Sequence, residues 1–73
     1  MENRIIHDPG ILAGKPIIKG TRISVELILE LLASGLSIEK ILGEYPHLKK
    51  IDILAAIDYA AKALKHEELV MIG

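Results

Sequence analysis

Few residues in this chain combine the type and spacing that catalysis or ligand capture demands. The stretch "GILAGKP" at 10–16 opens like a phosphate-binding loop, in which Gly, four residues and Gly-Lys-Ser/Thr lead into a helix whose N–H groups surround phosphate. It departs three times. Gly10 to Gly14 is one residue short, Pro16 stands where the hydroxyl residue belongs, and the following "PIIK" reads as strand. A tight turn between two extended pieces accounts for Gly14 and Pro16, so no nucleotide and no other cofactor is expected. His7, His47 and His66 lie too far apart in sequence to form a local metal-ligand pair. Cysteine is absent, which excludes disulfides and thiolate metal sites. No nucleophile stands beside a base, no metal-ligand spacing occurs and no carboxylates form a catalytic pair. The chain is therefore not read as an enzyme, and no small-molecule substrate is expected.

The remaining chemistry is cationic. Both arginines, Arg4 and Arg22, fall in the N-terminal segment, and Lys49 and Lys50 stand where a DNA-reading helix would enter a groove. With Lys19 these are the candidate DNA contacts. Bidentate readers are scarce, since the chain has no Gln and its only Asn is Asn3. Asp52 beside the lysines opposes phosphate, and a solvated face is the commoner explanation of such a pair. Arg22 has a choice of jobs: tying loop carbonyls, pairing with Glu26, or gripping phosphate. A net charge of −1 limits any DNA binding to a local patch.

The elements that would position these groups divide near residue 23. Before it, "RIIH" and "PIIK" are strand-like runs separated by the turn signals "DPG" and "AGKP" and followed by the turn "KG", which predicts a β-hairpin or extended arm. Gly20 supplies the backbone freedom that turns the arm into the first helix, and Thr21 belongs to the same turn. Ser24 is the expected N-cap of a helix that ends at Gly35. Ser37 caps "IEKILGEY", which Pro46 terminates. A third helix is expected from Leu48 to about His66, with Ile53, Leu54, Ile57, Ala60, Ala61 and Leu64 facing the core and Ile51, Asp52, Ala55, Tyr59, Lys62 and His66 opposite. The chain is thus one domain: a β arm at 1–23, a three-helix bundle at 24–66 and a tail at 67–73.

A chain of 73 residues supports one small core, and 51% of its residues are apolar. No apolar run approaches the roughly 20 residues that span a bilayer. No export signal is evident, so a soluble, cytoplasmic protein with no membrane partner is expected. On the first helix Val25, Leu27, Ile28, Leu29, Leu31 and Leu32 spread over about 200°, wider than a monomeric surface helix needs. Either the arm covers the excess or a second polypeptide does. Leu27 and Leu31, with Leu69, Val70 and Met71 of the tail, are the candidate partner or dimer contacts, and a homodimer is expected. The tail packs either within such a dimer or against another protein.

Finally, the pattern Gly-x-Pro-x-Ile-x-Gly-Thr-Arg-Ile-x-Val, carried by Gly14, Pro16, Ile18, Gly20, Thr21, Arg22, Ile23 and Val25, resembles the domain of unknown function 433 family, small proteins grouped with VapB-like antitoxins. "GLSIEKILGEYPHL" is similar to the family's helix-turn-helix entrance, and the likeness spans most of the chain. Many members carry a second glycine where this chain has Ala13, a departure expected to be structurally mild. The resemblance implies a mainly α fold, a three-helix homeodomain-like helix-turn-helix bundle with an N-terminal β arm. It also implies an antitoxin or small transcriptional regulator that binds a PIN-like toxin ribonuclease and touches operator DNA through its helix-turn-helix. The near-neutral charge and poor base-reading kit leave the alternative of a dimeric protein-interaction module without DNA binding.

Overall fold

Local punctuation sets the helices. In the computed structural model, which describes residues 3–72 and side chains through Lys65, Ser24 Oγ accepts the Leu27 N–H at 2.9 Å and opens α1 (Val25–Ala33). The helix closes on Gly35, whose φ of +100° lets Leu36 N reach Leu31 O and Gly35 N reach Leu32 O. This paired arrangement satisfies two carbonyls the helix would leave open. Ser37 Oγ then accepts from Lys40 N at 3.1 Å to begin α2 (Ile38–Glu44), which stops at Tyr45, the residue before Pro46. After a short turn, α3 (Lys50–Ile72) runs past the end expected near His66.

The N-terminal segment forms a two-stranded antiparallel sheet of β1 (Ile5–His7) and β2 (Pro16–Ile18), with Ile5 opposite Ile18 and His7 opposite Pro16. Pro16 tolerates this place because it is the first residue of its strand. Ile17 also bridges to Ser24, so the start of α1 covers the other edge of β2. Ile17 and Ile18 are consequently both buried, one on each face.

The fold is mainly helical, with three helices and this small sheet. Its core gathers Ile18, Val25, Ile28, Ile41, Leu48, Ile53 and Ala56, with Leu29, Leu31 and Leu32 packed partly against it. Each fully buried isoleucine contributes about 1.5–3 kcal/mol relative to its exposed state.

One expectation requires correction. On α3 the buried residues as far as Lys65 are Asp52, Ile53, Ala55 and Ala56, whereas Leu54, Ile57, Ala61 and Leu64, assigned to the core from periodicity, are exposed. Asp52 is the cause: its carboxylate is held inside by two partners described below, and the alanines on that face let the helix approach closely. On α1, Leu27 and Leu31 are half-buried, and the large apolar side chains most exposed among the described residues are Leu12 and, on α3, Ile51, Leu54, Ile57 and Leu64.

Candidate functional site

Three sequence-distant segments meet at the start of α3. Lys19 N donates to Arg4 O at 2.8 Å, and Arg4 Nη1 donates to Asp52 Oδ1 at 2.7 Å. The other carboxylate oxygen, Oδ2, accepts from Lys49 N at 2.9 Å. Asp52 therefore bonds back to the residue just ahead of the helix, half of a reciprocal capping arrangement, while its second oxygen ties down β1. Its side chain is only 5% exposed and Arg4's is 32%, so the pair is neither a surface contact nor a fully desolvated one. Of the five candidate phosphate contacts, these bonds link Arg4, Lys19 and Lys49, with Lys50 next along the chain and Arg22 three residues past Lys19. All but Arg4 are exposed. Arg4 is committed to Asp52, a partner 48 positions away that no local pattern announces.

The turn carrying Lys19 and Arg22 is built by Gly20 and Thr21. Thr21 N donates to Ile18 O at 3.0 Å and Gly20 has φ +81°, the geometry of a type II turn with glycine at its third position. The Thr21 hydroxyl donates to Ile18 O and accepts from Ile23 N, locking the return into α1. Among the described residues nothing pairs with the Arg22 side chain. Glu26, one of its expected partners, bonds Lys15 Nζ at 3.2 Å instead.

The family-like pattern opens at Gly14, the last residue of a left-handed turn. Leu12, Ala13 and Gly14 take φ of +49°, +55° and +81° in succession, and Lys15 N closes on Leu12 O. Only the glycine is at ease there, so Ala13 is strained where a mild departure was expected. His7 Nδ1 lies 3.0 Å from the Gly14 carbonyl, with Nε2 3.4 Å from the Tyr59 hydroxyl. The imidazole thus staples the turn to α3.

The outer face of α3 is chemically different. Between Ile51 and Ile57 the exposed residues are Ile51, Leu54 and Ile57, at 42%, 39% and 41%, with Leu64 at 61% further along. None offers a hydrogen bond to a base edge. An open groove of about 740 Å³ runs between the helices, walled by Pro16, by Val25, Leu29 and Ala33 of α1 and by Tyr59, Ala60, Ala63 and Leu64 of α3. Glu26 and Glu30 stand at its edge. The side chains of Leu69, Val70 and Met71 lie outside the described residues. Among those described, no helix is long and apolar enough to cross a membrane, and no group of three or more His, Cys, Asp or Glu side chains is placed to hold a metal ion.

Comparison with known proteins places this geometry. Curated proteins give no match. Among solved structures, a crystal structure of a DUF433 member protein from Anabaena variabilis superposes with a TM-score of 0.81 at 26% identity, covering 99% of this chain and 71% of that one. Residues 5–60, from β1 through the Tyr59 staple, match the family described as protein of unknown function (DUF433). That span takes in the left-handed turn, the Gly20–Thr21 return and the start of α3, so the chain belongs to the DUF433 family.

Proposed function

We propose that this protein is a docking module of the antitoxin or small-regulator kind, whose α3 outer face receives another polypeptide. The observation that carries this reading is the composition of that face: from Ile51 to Ile57 every exposed residue is aliphatic. An α-helix that is apolar on both sides belongs between two partners, and here the fold covers one side. Covering the remaining 40% or so of Ile51, Leu54 and Ile57 would contribute about 1 kcal/mol each. A PIN-like toxin ribonuclease is the partner we propose, by analogy with the antitoxins grouped with this family. Co-expression with the product of the adjacent gene tests it. A stable complex that is lost in Leu54→Lys/Ile57→Lys supports the reading, whereas no association, or association indifferent to these changes, counts against it.

A second reading is favoured by the exposed basic residues. α2, the connection through Pro46 and α3 would form the homeodomain-like helix-turn-helix, and Lys19, Arg22, Lys49 and Lys50 would meet DNA phosphate while α3 reads no bases. Counterion release then makes binding fall steeply with salt. A gel shift across salt concentrations tests it, and no retardation even at low salt would leave the docking role alone.

A further inference from the structure

We infer that a second copy of this chain covers the outer face of α3 when no other protein occupies it, the two α3 helices crossing antiparallel about a two-fold axis at Leu54. The inference rests on the reading of that face as a docking surface. The face is laid out symmetrically about Leu54. Ile51 stands three residues before it and Ile57 three after, exposed to nearly the same degree. Lys50 stands four before and Asp58 four after. At about 100° per residue, each of these charges lies about 40° from the line of Leu54, on opposite sides and one turn toward opposite ends.

Inversion exchanges the two ends of such a pattern. Where the i, i+4 rows of two antiparallel helices align, at a crossing of about 50°, Leu54 meets Leu54 of the other copy and Lys50 meets Asp58 of the other copy, twice. Ile51 and Ile57 close the aliphatic patch on either side. A parallel crossing instead sets Lys50 against Lys50 and Asp58 against Asp58, so the charges select the antiparallel one. Both charged groups favour the contact. Lys50 is the first residue of α3, where the positive end of the helix disfavours a cation, and among the described residues no carboxylate lies within ion-pair distance of it. Asp58 holds Lys62 Nζ through Oδ2 at 3.1 Å with its side chain 41% exposed, and Oδ1 is a further acceptor. The patch is small beside the roughly 1,200–2,000 Å² of a stable interface, so the dimer is weak and exchangeable, as a cover that yields to a partner must be.

A reciprocal charge exchange in the full-length chain tests the dimer. Lys50→Glu and Asp58→Lys are made singly and together, and masses are followed by sedimentation equilibrium from micromolar to hundreds of micromolar. The natural chain is expected to dimerise in that range, and each single variant to dimerise about tenfold more weakly, because both symmetry-related contacts then join like charges. An equal mixture of the two single variants, and the double variant alone, are expected to recover the natural affinity. Recovery on mixing also shows that neither single variant is merely unfolded. Leu54→Lys is expected to stay monomeric with its helical signal retained. A natural chain that stays monomeric throughout, single variants that dimerise undiminished, a mixture that fails to recover, or a dimeric Leu54→Lys protein would overturn the assignment. No second protein enters these measurements, which separates them from the docking reading. A monomeric chain that still binds the adjacent gene's product loses only the dimer, and a dimer that binds no such product loses only the proposed partner.

Discussion

Removing the Asp52 carboxylate tests how the fold sets the orientation of α3, and its cost follows from the two bonds the group makes. Asp52→Ala deletes the acceptor for Lys49 N at 2.9 Å, a capping contact worth about 1 kcal/mol. It also strips Arg4 of its partner at 2.7 Å. Exposed ion pairs contribute about 0–1 kcal/mol, and breaking a fully buried one costs about 3–5 kcal/mol. Arg4 is one-third exposed, which places this loss between those limits at about 1–2 kcal/mol. The total is about 2–3 kcal/mol, against roughly 4–11 kcal/mol for a domain of this length. At about 4–8 °C per kcal/mol, thermal unfolding followed by circular dichroism should fall by about 10–20 °C. Asp52→Asn keeps an acceptor for Lys49 N and should lose about half as much. A double-mutant cycle with Arg4→Ala should give a coupling of about 1–2 kcal/mol. Coupling below about 0.5 kcal/mol, or an Asp52→Ala protein as stable as the natural one, would refute the claim that this pair anchors α3.

Three further substitutions probe the two turns of the N-terminal arm. Ala13→Gly should raise stability by about 0.5–1 kcal/mol, because it relieves a left-handed residue, and a fall in the denaturation midpoint would contradict that strain. Gly20→Ala should lower stability by about 1 kcal/mol purely through its φ of +81°, since a Cβ there meets nothing within 4 Å; an unchanged urea midpoint would disprove the cost. Thr21→Val should cost about 1–2 kcal/mol by leaving Ile18 O and Ile23 N without the hydroxyl, and equilibrium denaturation showing no loss would remove that residue from the turn.

What the sequence discloses and what it hides divide by distance along the chain. Ser24, Ser37, Gly35 and Pro46 act within a few residues of themselves, and each stands where its local pattern predicts. The two-strand arm was legible for the same reason, since "DPG", "AGKP" and "KG" mark its turns. The orientation of α3 was not. Apolar periodicity favours Leu54, Ile57 and Leu64 as core because they are large, but a bond from Arg4, 48 positions away, turns Asp52 and the small Ala55 and Ala56 inward. Capping logic held a partial signal, since Asp52 is three residues past Lys49. On α1, Leu29, Leu31 and Leu32 pack partly against the core, whereas Ile51, Leu54, Ile57 and Leu64 of α3 stay exposed. The strain at Ala13 was hidden too: nothing in "GILAGKP" announces three left-handed residues in succession.

The proposed docking role rests on the aliphatic outer face of α3 as a surface for another protein. Its most direct test is the affinity between the purified chain and the adjacent gene's product, measured by titration calorimetry for the natural sequence and for Leu54→Lys/Ile57→Lys. Docking through this face predicts saturable binding with a negative heat-capacity change, weakened at least a hundredfold in the variant while its helical signal is retained. Binding of equal strength in both proteins, or none in either, would contradict it.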